Sequence, residues 1–122
     1  MSETPHDVEA LLTFLGTAEG GRLGPVFSDW RPMLRYDGRL WIVRIDFPNT
    51  PSVNPGDKVL AFIDFLSPEA HFGKLSAGTF FDIIEGRKVA YGLITKLAGL
   101  EESARRARER AGMPSNNRWR GP

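Results

Sequence analysis

Glycine and proline punctuate this chain every eight to twelve residues as far as Lys96, and that spacing limits the length of any regular element before it. Short strands fit between such breaks, and only one stretch, past Gly99, is free enough of them to read as helix. The pattern predicts an all-β sandwich or barrel.

The first predicted strand covers residues 8–15 and ends at Gly16 and the Gly20-Gly21 pair. A second covers 33–36, and Asp37-Gly38 behind it is the strongest two-residue hairpin signal in the chain. The third, 40–47, alternates: Trp41, Val43, Ile45 and Phe47 point one way, Arg44 and Asp46 the other, so one face is core and one is wet. Past the loop from Pro48 to Pro55 and the turn Gly56-Asp57, segment 59–66 places Val59, Ala61, Ile63 and Phe65 on one face. Its other face, Leu60, Phe62, Asp64 and Leu66, is nearly as apolar, which predicts a strand buried on both sides or facing a partner. Strands over 79–84 and 88–97, joined by Glu85-Gly86-Arg87, bring the total to about six in about 90 residues. That number predicts a six-stranded antiparallel closed barrel, which has no edge to defend.

Beyond Gly99 the pattern turns helical, with Glu101/Arg105 and Glu102/Arg106 spaced i, i+4. The apolar stripe there, Leu97, Leu100, Ala104, Ala107 and Ala111, is thin, and a helix only loosely held is expected. Two units follow: a barrel over residues 8–97 and a basic helical or disordered tail over 98–122. The net charge of +1 hides the same division. Six arginines (105, 106, 108, 110, 118 and 120) oppose three glutamates past residue 96, whereas the barrel region is mildly acidic.

Composition narrows the function. A chain that is 41% hydrophobic and 25% charged matches a soluble globular domain. Having no cysteine, it forms no disulfide and no cysteine-ligated metal site. The acids and proline of the first seven residues do not fit a secretory leader, and no apolar run approaches the ~18 residues of a membrane span. A cytoplasmic protein is expected.

The two histidines, His6 and His71, lie far apart without clustered ligands, and His71 reads as a loop residue. Lys74-Leu75-Ser76-Ala77-Gly78 lacks the first glycine of a nucleophile elbow, and Gly73-Lys74-Leu75-Ser76 is not spaced as a phosphate loop. No enzyme activity and no cofactor are expected. The tail arginines with Trp119 offer a second kind of site, in which cations neutralise phosphates and the indole stacks on bases. The alternative is that Arg/Glu pairs merely solvate the helix.

Glu19-Gly20-Gly21-Arg22, then Pro25, Phe27 and Trp30-Arg31-Pro32, resemble motifs of the C-terminal barrel, the third domain, of translation elongation factor Tu. Pro55-Gly56-Asp57 and the run Phe81-x-Ile83-x-Glu85-Gly86 with Arg87, Val89 and Gly92 fall in the same order as that family's later motifs. The resemblance implies a six-stranded antiparallel barrel without chemistry of its own, one that docks on proteins of translation. Its tRNA contacts transfer poorly, because Leu23 and Met33 stand where the family has a histidine and a glutamine, whereas Glu85 is kept.

The leading expectation is therefore a free-standing docking module with Arg22, Trp30, Arg31, Met33, Glu85 and Arg87 as partner-binding residues. Self-association is a further expectation, because surfaces that meet the other domains in the family are open here. The alternative is an RNA-binding accessory protein, for tRNA or rRNA, using Arg105, Arg106, Arg108, Arg110, Arg118, Trp119 and Arg120. Within the barrel, Arg22, Arg31 and Arg87 also have acidic neighbours in Glu19, Asp29 and Glu85 with which to pair.

Overall fold

The structure, a computed structural model, describes residues 6–111, so Arg118, Trp119 and Arg120 lie outside the described residues. In chain order the strands are β1 (Val8–Phe14), β2 (Val26–Phe27), β3 (Met33–Tyr36), β4 (Arg39–Asp46), β5 (Ser52–Val53), β6 (Lys58–Phe65), β7 (Phe80–Glu85) and β8 (Arg87–Lys96), followed by helix α1 (Leu100–Arg110). Six of them close an antiparallel barrel in the order β1-β6-β4-β3-β7-β8, with β8 returning to β1. The short β2 and β5 pair separately through Val26 and Val53, a small sheet that the strand pattern did not predict.

Local chemistry sets the hairpin. Asp37 and Gly38 both take positive φ, 53° and 75°, the backbone of a two-residue turn whose twist matches the strands it joins. Tyr36 and Arg39 therefore face each other and start the β3–β4 register. The alternation on β4 then sends Val43 and Ile45 fully inside while Leu40 and Ile42 remain half exposed. Ala10, Leu12, Leu34, Ile63, Phe65 and Ile83 fill the same interior with no exposed surface. Each fully buried Leu, Ile or Phe contributes about 1.5–3 kcal/mol.

The outer face of β6 is only half as bare as its sequence implies. His6 stacks on Phe62 with ring centres 3.6 Å apart, and Asp64 is almost wholly buried. Its carboxylate accepts from the Asp7 amide at 3.0 Å and from Arg44 at 2.8 Å, while Asp7 accepts from the Phe65 amide at 2.8 Å. His6 and Asp7 thus cover the Phe62–Asp64 half of this face, and Leu60 is left at its open end.

One expectation is corrected here. The helix is held: Leu100, Ser103, Ala104 and Ala107 are buried, and α1 packs on the 3-10 turn Pro68–Ala70. Small side chains let the helix approach closely, so a thin stripe suffices. His71 lies in the loop, as expected, yet it has no exposed surface. It follows that turn directly and enters an aromatic cage of Tyr36, Trp41 and Phe65, with ring centres 5.5, 4.3 and 4.1 Å away. Among the described residues no helix is long and apolar enough to cross a membrane.

Candidate functional site

Four of the six sequence-predicted partner residues meet at one end of the barrel. Glu85, at the end of β7, forms an ion pair with Arg22 through Oε1 and accepts from Trp30 Nε1 at 3.0 Å through Oε2. The Arg22 guanidinium also reaches the carbonyls of Gly24 and Pro25, each at 3.3 Å, and lies 6.0 Å from the centre of the Trp30 ring. Arg87, across the turn, donates to the carbonyls of Gly20 and Gly21 at 2.7 and 3.0 Å. The cluster fastens the 16–25 loop onto the β7–β8 turn.

Trp30 is correspondingly unavailable to a partner. It is 8% exposed, stacks on Phe14 at 5.5 Å, and bridges to Ile45 through two backbone hydrogen bonds. Buried polar groups of this kind need partners to offset their desolvation, and Glu85 supplies one. Arg31 stays half exposed beside Asp29, which holds it at 3.1 Å; Asp29 itself takes φ 65° and donates its amide to Asp46.

Met33 is placed differently. On the outer face of β3 it stands opposite Ile42 of β4 on one side and Ile84 of β7 on the other. The three make an apolar row, half exposed at Ile42, that is bounded by Arg31 and by the Arg22–Glu85 pair. Ile42 and Ile84 were missed in the sequence reading. The signal was present, because the alternation that buries Val43 necessarily turns Ile42 outward.

The basic helix is largely self-neutralised in the described part. Glu102 pairs with both Arg105 and Arg106, the latter at 3.0 Å, and Glu109 pairs with Arg105 at 2.9 Å. Arg108 has no ion pair among the described residues and borders a groove of about 360 Å3 with Phe72, Gly99, Glu101 and Arg105.

His71 is the strongly perturbed titratable group. Burial, with Lys74 adding like-charge repulsion, lowers its pKa from 6.5 to about 4, so it is neutral at ordinary pH. Its Nδ1 shares a 2.7 Å hydrogen bond with the Tyr36 hydroxyl. Nε2 has no hydrogen-bond partner, and neither does Trp41 Nε1, although the two rings meet edge to face at 79°. Among the described residues no group of three His, Cys, Asp or Glu side chains could hold a metal ion. No protein-family model matches the chain.

Proposed function

We propose that this barrel is a non-catalytic docking module that binds a protein partner through the outer face of β3, β4 and β7. The observation that carries the reading is the row Ile42–Met33–Ile84, apolar, turned outward and bordered by arginine. Methionine, isoleucine and arginine in such an arrangement combine adaptable apolar contact with a polar rim. The resemblance to the third domain of elongation factor Tu makes translation the setting and that factor's nucleotide-exchange factor the first partner to try. Within this reading Arg22, Trp30, Glu85 and Arg87 position the loop, while Met33 and Arg31 make contact.

Purified exchange factor, titrated with this protein, tests the reading. Met33→Asp places an unpaired charge in the centre of the row and is expected to abolish binding with unchanged thermal unfolding. Full affinity in that variant contradicts the proposal. The RNA reading predicts binding to tRNA or rRNA that weakens steeply with salt. The pairing of Arg105 and Arg106 with glutamates leaves it fewer free cations, which favours the protein-docking reading.

A further inference from the structure

The barrel carries a second outward apolar band, on the side away from Met33. Register places Leu60 of β6, Leu11 of β1, Leu93 of β8 and Phe80 of β7 in one continuous row. Leu11 is 54% and Phe80 74% exposed, and Tyr91, in the next row, is 42% exposed. Side chains of this size so open to water mark an interaction surface. A closed six-stranded barrel curves sharply, so a flat contact covers little more than two strands. Here those two are β1 and β8, the strands whose pairing closes the barrel, with Leu60 and Phe80 at the sides.

Charge around this seam decides what covers it. A bulge in β8 skips Thr95 and sets Lys96 opposite Glu9, so an acid stands on the β1 side of the seam and a base on the β8 side. Such antisymmetry is what an isologous contact requires. A two-fold axis along the seam sets Leu11 on the partner copy's Leu93 and Glu9 on its Lys96, with Leu60 and Phe80 at the margin. Lys96 is exposed and has no ion pair among the described residues. Glu9 commits one oxygen to His6 at 3.0 Å and keeps the other for the partner copy's Lys96.

We infer that the β1/β8 seam is a self-association face and that its occupant is a second copy of this chain. The contact lies across the barrel from the Met33 row and is independent of the docking reading. Sedimentation velocity of the full chain from micromolar to near-millimolar concentration tests it. A reversible dimer is expected, and Leu11→Glu, an exposed position, should give a monomer with native far-UV circular dichroism. Glu9→Lys or Lys96→Glu alone should weaken the dimer by about tenfold, since each puts two like-charged pairs across the axis. The double variant Glu9→Lys/Lys96→Glu should restore it, and Met33→Asp should leave it unchanged. A monomer throughout the concentration range, a dimer that survives Leu11→Glu, or a folded double variant that stays monomeric overturns the inference.

Discussion

His71 shows how far one residue's behaviour is set by neighbours distant in sequence. In the unfolded chain it titrates near 6.5 and in the folded barrel near 4. Between those values the unfolded state takes up the proton first, so stability is full above pH 6.5 and falls as the pH drops toward 4. We predict that going from pH 7 to pH 5 costs wild type about 2 kcal/mol more than it costs His71→Phe, as read by urea unfolding. Parallel pH profiles for the two proteins contradict this. Gly92 is a second case: a Cβ there would lie 2.4 Å from Phe81 Cζ and 2.9 Å from the Leu11 carbonyl. Gly92→Ala is expected to lose about 1–3 kcal/mol, measured as a lower urea midpoint at constant m-value. The need for glycine at this position was legible in the resemblance motif. The cage around His71 was not, because residues 36, 41, 65 and 71 meet only once the strands are in register.

At the scale of elements, alternation on β4 and the Asp37-Gly38 turn were readable because both depend on local backbone chemistry. The docking of α1 was not readable, because its apolar stripe is modest and its site is the turn Pro68–Ala70, far back in the chain. Ala104, on the buried face of α1, tests that packing. Ala104→Glu forces a carboxylate into the contact, and faster amide hydrogen exchange across α1 with unchanged exchange in β1, β6 and β8 is the expected result. The latch on the 16–25 loop makes a separate prediction. Glu85→Ala removes the acceptor of Trp30 Nε1 and the partner of Arg22. A loss of about 1–2 kcal/mol and a shifted Trp30 fluorescence are expected; an unchanged emission spectrum contradicts the latch. In the sequence these residues read as contact surface because arginine, tryptophan and glutamate serve interfaces and interior pairs equally well. The separation of Trp30 from Glu85 hid which role applied.

At the scale of the molecule, closure into a barrel determines which side chains are left for function. Every strand interior is spent on the core, and two outward apolar rows lie on opposite sides: Ile42–Met33–Ile84 and Leu60–Leu11–Leu93–Phe80. The sequence showed apolar residues at these positions, but only register reveals that they align across strands. We propose the β3 face as the docking surface. Amide hydrogen exchange with mass spectrometry, comparing the free protein with its mixture with purified exchange factor, addresses it directly. The claim predicts slowed exchange confined to β3, β4 and β7 around Met33, Ile42 and Ile84. No protection at all, or protection confined to α1, would contradict it.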